Sequence, residues 1–184
     1  PKIKETSYSV MFDRIELGTY LVAAAITGGN LKIKNIIPNI IQTEINVLRK
    51  IGVKIFIKKE EIHVMGNKKI KSLNITTAPY PGFPTDLQAQ IMVLLCKANK
   101  RSVIKEDIFE NRFMHVAELN RMGAKILVKG NKAYVEGNTK FNAAEIMATD
   151  LRASVSLILA ALTSSGKSRI NRIYHLDRGY ENIE

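Results

Sequence analysis

Apolar residues recur along the chain at two periods, every second position in short segments and every third or fourth position in longer ones. The first period marks half-buried strands, the second marks helices with one apolar face. Thr6–Phe12 alternates loosely and predicts a strand. Leu17, Tyr20, Leu21, Ala24 and Ala25 follow at helical spacing, with Asp13 placed to cap the helix and Gly28-Gly29 to end it. Leu31–Ile36 alternates again. Pro38 and Asn39 then open a second helix with Ile41, Ile45, Leu48 and Ile51 on one face and Gly52 at its end. Val53–Ile57 and Glu61–Met65 flank Lys58-Lys59-Glu60 and predict a hairpin.

The same order returns downstream. Ser72–Thr77 predicts a strand, Ala78–Pro84 a loop rich in proline, and Asp86 the start of a helix running through Lys97. Arg101–Lys105 predicts a strand, and Asn111–Met122 a helix with Phe113, Val116, Leu119 and Met122 facing inward and Gly123 at its end. Ala124–Val128 and Lys132–Glu136 predict a hairpin around Gly130-Asn131. The spacing from Asp13 to Gly52 nearly equals that from Asp86 to Gly123, and Leu48–Ile55 aligns with Leu119–Ile126. A third start follows, with a strand at Ala144–Ala148, a helix at Asp150–Ser164, a strand at Ser168–Ile173 and a second helix opening at Arg178. By the earlier spacing its terminal glycine and hairpin fall beyond Glu184, and the chain opens without Met.

These features predict an α/β protein of three βαβαββ repeats, at about 6–66, 70–137 and 142–184, the third truncated. Three such units sharing one core place apolar helices inside and sheets outside. The chain is expected to form one domain of a longer protein. Each large aliphatic side chain buried there stabilises the core by roughly 1.5–3 kcal/mol.

Composition changes this picture little. The 184 residues are 46% hydrophobic and 24% charged, an ordinary globular balance. The longest clean apolar run, near Val155–Leu162, is far short of a bilayer span, and a cytoplasmic protein without membrane contact is expected. The net charge of +11 raises nucleic-acid binding. The lysines are scattered, however, and the strands at Leu31–Ile36 and Arg101–Lys105 carry no aromatic side chains for stacking on bases. An anionic small substrate fits that charge better.

Three helix starts carry an aspartate, Asp13, Asp86 and Asp150, which a backbone cap explains without chemistry. Asp86 also follows a rigid loop and could act as a base. Arg112, Arg152 and Arg178 lie at or near helix starts, where a cation is mildly unfavourable for the helix itself. Each is either paired with a neighbouring carboxylate such as Glu110 or Asp177, or set to bind an anion bidentately. Cys96, the one cysteine, sits in an apolar helical run and reads as a buried thiol. His115 reads as a satisfied structural histidine inside a helix, and His63 as a surface residue. No Cys/His set has metal-ligand spacing, and no glycine-rich phosphate loop is present, so neither a metal nor a cofactor is expected.

Four stretches resemble signature motifs of the enolpyruvyl transferases that act on UDP-N-acetylglucosamine. They are Pro79–Gln90, Ile108–Val116, Met147–Ser154 and Arg172–Glu181, and the likeness runs from about Tyr8 to Glu184. The resemblance implies an inside-out α/β barrel, the second of two such domains, with the active site in the cleft between them. It implies transfer of the enolpyruvyl group of phosphoenolpyruvate to the 3′-hydroxyl of UDP-N-acetylglucosamine with release of phosphate, the first committed step of peptidoglycan synthesis. It places Asp86 against the sugar hydroxyl as binder and base. Arg112, Arg152 and Arg178 then surround phosphoenolpyruvate, with Arg178 closing over it. Asp150 joins the same cluster, and Ile108 touches the UDP-sugar through its backbone. The acid, usually a cysteine, and most of the uridine site belong to the amino-terminal domain, so this chain alone is expected to be inactive. The sister enzyme acting on 3-phosphoshikimate shares the fold, but Phe109–Phe113 and Asp177–Glu181 fit the UDP-sugar enzyme better.

Overall fold

A computed structural model describes residues 3–148, 150–181 and 183. Thr149, which precedes the third helix-start aspartate, lies outside the described residues, as does the predicted boundary at Glu184.

Three helices form the centre. Helix α1 (Arg14–Thr27) is capped by Asp13, whose carboxylate accepts from the amides of Ile15 and Glu16, and it ends at Gly28 in the left-handed region with φ +70°. Helix α3 (Gln88–Cys96) has every residue buried. Helix α5 (Leu151–Ala161) is capped by Asp150, which accepts from the amides of Arg152 and Ala153. The three helices pack on one another, and Leu21, Leu94, Leu95 and Leu157 are wholly buried among them. Helices this apolar on all sides are stable only when enclosed.

The sheets cover this core. In the first, β1 (Asn30–Lys34) and β2 (Lys54–Lys58) both pair antiparallel with β3 (Glu61–Met65). In the second, β4 (Ile75–Thr76) runs parallel to β5 (Ser102–Lys105), which pairs with β7 (Lys132–Val135) and through it with β6 (Ile126–Lys129). In the third, β8 (Glu145–Met147) and β9 (Arg169–Asn171) are parallel. Ile45 and Leu48 of α2 (Gln42–Lys50) and Leu119 of α4 (Val116–Arg121) join the same core. The α/β class with helices inside and sheets outside is therefore as expected from the pattern.

Two of the elements that differ from expectation lie away from the Asp86 turn and the last 3-10 helix. Thr6–Phe12 forms no strand. It finds no sheet partner among the described residues, and alternation without a partner leaves the backbone to water. The helix expected over Asn111–Met122 begins only at Val116. Asn111 adopts a left-handed conformation with φ +54°, which turns the chain before the helix can start.

Candidate active site

The proline-rich loop before Asp86 is tied to the first unit. Thr43 donates to the carbonyl of Pro81 at 2.5 Å, and the Arg14 guanidinium stands 5.1 Å above the Tyr80 ring. Arg14 also pairs at 3.0 Å with Glu44, which is buried. Burial raises the Glu44 carboxyl above its ordinary value, while its own backbone amide and Arg14 oppose the shift.

Asp86 itself does not cap α3. Pro84 is extended and precedes a 3-10 turn, Thr85–Leu87, inserted before the helix, so the capping position of α3 falls on Leu87. The Asp86 carboxylate turns to cations instead. One oxygen accepts from Arg112 Nη2 at 2.6 Å and the other from Arg152 Nη2 at 3.4 Å. The shared helix-start position thus divides, with Asp13 and Asp150 holding backbone amides and Asp86 holding arginines. Arg112 pairs with neither Glu110 nor a helix terminus. It lies in the turn after Asn111, with its guanidinium 5.2 Å from the Phe109 ring centre. Arg152 is the second residue of α5, and its Nη1 is buried without a partner among the described residues.

Arg178 ends a 3-10 helix, Ile173–Arg178, rather than beginning an α-helix. Arg172, left-handed at φ 61°, sets that turn. Arg178 is exposed and forms no ion pair among the described residues. Its helix packs against α5, the helix that carries Arg152. Ile108 lines a groove of about 1010 Å³ together with Phe109, Arg112, Asn120, Val128 and Asn131. Arg112 belongs to both the groove and the Asp86 cluster, whereas Asp86 and Arg152 do not line the groove. The Ile108 amide is already used, donating to Glu106 at 3.0 Å.

Glu106 is the residue that sequence reasoning missed. It is buried, and one carboxylate oxygen accepts from Thr77 Oγ1 at 2.8 Å and from the amides of Ile108 and Phe109 at 3.0 and 3.2 Å. The other accepts from Thr85 Oγ1 at 2.9 Å. One side chain thereby joins the Asp86 turn to the loop carrying Arg112. An acidic residue after a strand, next to Asp107, gives no local signal of that role.

His115 is buried as expected but is neither inside the helix nor satisfied. It precedes α4, and its Nε2 has no partner among the described residues. Burial lowers its pKa to about 4, with Asp150 opposing the shift and Arg112 adding to it. The folded protein therefore resists a proton that the unfolded chain accepts below its ordinary value of 6.5. Stability is expected to fall as pH drops from 6.5 toward 4, by up to about 3 kcal/mol from this residue. Thermal melts across that range check it, and a His115→Gln variant is expected to flatten the slope. His63 lies in β3, half-buried, with Asn30 Oδ1 at 2.5 Å from Nε2. Cys96 is fully buried in α3, and burial pushes its thiol up to about 12, which leaves no thiolate at neutral pH. No group of three His, Cys, Asp or Glu side chains suited to a metal occurs among the described residues. No helix among them is long and apolar enough to cross a membrane.

Asp86 is thus held by Arg112, from the turn before α4, and by Arg152, from the start of α5, beside a core of enclosed helices. Residues 1–184 match the family model described as EPSP synthase (3-phosphoshikimate 1-carboxyvinyltransferase), and the chain belongs to this family of enolpyruvyl transferases. It is 75% identical over 182 residues to a UDP-N-acetylglucosamine 1-carboxyvinyltransferase of Pelagibacter ubique (strain HTCC1062), a match covering 99% of this chain and 44% of that protein. It is 54% identical to the protein of that name from Geotalea uraniireducens (strain Rf4), covering 97% and 43%. The chain spans less than half the length of these curated relatives. The crystal structure of the enolpyruvyl transferase NikO from Streptomyces tendae superposes with a TM-score of 0.87 at 27% identity, over 94% of this chain and 41% of that one. An EPSP synthase from Acinetobacter baumannii, at 20% identity and a TM-score of 0.70 over 91% and 43%, shares the fold. The inside-out α/β architecture is that of these transferases.

Proposed function

We propose that this chain is the second domain of an enzyme that transfers the enolpyruvyl group of phosphoenolpyruvate to the 3′-hydroxyl of UDP-N-acetylglucosamine. The observation that carries this reading is the carboxylate of Asp86 held between Arg112 and Arg152, in a chain 75% identical to a transferase of that name. The arginines bind the phosphate and carboxylate of phosphoenolpyruvate, since a guanidinium fork stays charged and matches both groups. Arg178, exposed beside α5, closes over the same anion. Asp86, released from the arginines when the anion takes its place, accepts the proton of the attacking sugar hydroxyl. The new bond forms from the sugar oxygen to C2 of phosphoenolpyruvate while an acid on the amino-terminal domain protonates C3. Loss of phosphate and of a C3 proton completes the transfer. Asp150, which caps α5 and thereby fixes Arg152, and Ile108, on the groove beside Arg112, complete the substrate wall. The product feeds peptidoglycan synthesis, hence cell shape and division, and the enzyme works in the cytoplasm.

Phosphate release by the full-length protein, with phosphoenolpyruvate and either UDP-N-acetylglucosamine or 3-phosphoshikimate, tests this reading. Turnover is expected only with the UDP-sugar. Turnover only with 3-phosphoshikimate overturns the substrate assignment, and release with neither overturns the activity.

A further inference from the structure

The proline-rich loop delivers Asp86 of the second unit, yet its tip is gripped by the first. The tip is closed on itself. The Ala78 amide donates to the Phe83 carbonyl at 2.9 Å, and the Gly82 amide to the Pro79 carbonyl at 2.7 Å. Gly82 has no room for a side chain, since a Cβ there would meet the Pro79 carbonyl oxygen at 2.8 Å. The Leu87 amide donates to the Pro84 carbonyl at 3.1 Å, so the closed tip runs into the Asp86 turn without a slack segment.

Side chains from two helix starts hold this tip. Arg14, directly after the Asp13 cap, is the first residue of α1, and its guanidinium stands over the Tyr80 ring. Glu44, buried in the first turn of α2, pairs with the same guanidinium at 3.0 Å. Thr43 beside it donates to the Pro81 carbonyl. Below them Leu87 packs against α1 at Gly18, where a side chain would collide with it. A cation in the first turn of a helix opposes the helix dipole, and a buried ion pair contributes little net stability. Neither the helix nor the core therefore accounts for Arg14. What its pairing with Glu44 does fix is the position of the guanidinium above Tyr80.

We propose that Arg14, Glu44 and Thr43 are positioning residues that clasp the tip of the proline-rich loop and thereby set the place of Asp86 between its arginines. Glu106 holds the same turn from the other side through Thr85, so the turn is suspended between two anchors. Arg112 and Arg152 come from other elements, so loosening the clasp leaves the arginines in place. That Asp86 serves as a base rests on the proposed function. The hold on the loop does not, and the two can be tested apart.

In the full-length protein, Tyr80→Ala removes the ring that Arg14 covers. Tyr80 is 62% exposed, so its loss leaves the core intact. The kcat is expected to fall roughly 10-fold, with the KM for phosphoenolpyruvate changed less than about threefold, as a misplaced base beside an intact anion site requires. Hydrogen exchange at the Ala78 and Gly82 amides is expected to quicken by about 10-fold or more. Arg14→Ala is expected to move both readouts in the same direction. Arg14→Lys, which keeps a charge for Glu44 but covers the ring less, moves them by a smaller factor, and Tyr80→Phe, which keeps the ring, restores both. Parental exchange rates in the two alanine variants overturn the proposal, as does faster exchange with a parental kcat, or a loss of activity that only tracks the folded fraction. If the parent protein turns over no phosphoenolpyruvate, the proposed function fails while the exchange rates still decide the hold on the loop.

Discussion

Replacing Asp86 by Asn in the full-length protein is expected to lower kcat by about 10²- to 10⁴-fold, the usual contribution of a positioned general base. The substitution is close to isosteric and keeps an oxygen that can accept from Arg112 or Arg152. It removes the charge and the ability to take a proton. Because Asp86 is the counter-ion of both arginines, its neutralisation frees them for a phosphate or carboxylate. The KM for phosphoenolpyruvate is therefore expected to stay level or fall while kcat collapses, a pattern that a damaged fold does not produce. Steady-state kinetics with both substrates varied separate these effects. Near-normal kcat would show that Asp86 serves only to order the two arginines.

Periodicity located the core helices because each is strongly apolar, and Asp13 and Asp150 mark the starts of two of them. Leu17, Leu21, Ala24 and Ala25 are buried together as their spacing predicts, and so are Ile41, Ile45, Leu48 and Ile51. The two hairpins sit where Lys58–Glu60 and Gly130-Asn131 mark turns, with strand ends shifted by a residue or two. The strand expected at Thr6–Phe12 failed because alternation reports a possible strand and cannot report whether a partner edge exists.

The site was readable only in its members, not in their geometry. Capping chemistry is local, so Asp13 and Asp150 hold the amides two and three residues ahead of them. Asp86 departs from that rule because the inserted 3-10 turn moves the capping position of α3 to Leu87, and its arginines come from positions 26 and 66 residues away. The Thr19–Tyr180 contact joins residues 161 apart. Neither contact leaves a repeat or a spacing in the sequence. Both arise because elements far apart in the chain converge on one core: the 3-10 turn before α3, the turn before α4 and the start of α5 bring Asp86, Arg112 and Arg152 together, and α1 meets the segment after the last 3-10 helix at Thr19 and Tyr180.

Glu106→Ala is expected to be the most destabilising single change near the site, at about 3 kcal/mol or more. The carboxylate receives two backbone amides and two threonine hydroxyls, and each buried donor left without an acceptor costs roughly 1–3 kcal/mol. Water entering the vacated volume offsets part of that sum. Glu106→Gln keeps one oxygen for the Ile108 and Phe109 amides and offers its NH2 to the Thr85 hydroxyl, which can rotate to accept. Its cost is expected to be about 1 kcal/mol. Thermal or urea unfolding of the two variants measures the difference. The functional consequence follows from what Glu106 connects. It anchors the start of the loop that delivers Arg112 and the turn that delivers Asp86, so releasing it loosens the 2.6 Å pair between them. The glutamine variant, folded and with the loop anchored, is expected to retain most of its turnover, whereas the alanine variant loses turnover even at temperatures where it remains folded. Equal stability of the two variants would mean that water replaces the carboxylate, and the loop is then held by Asn111 and the packing of Phe113 instead.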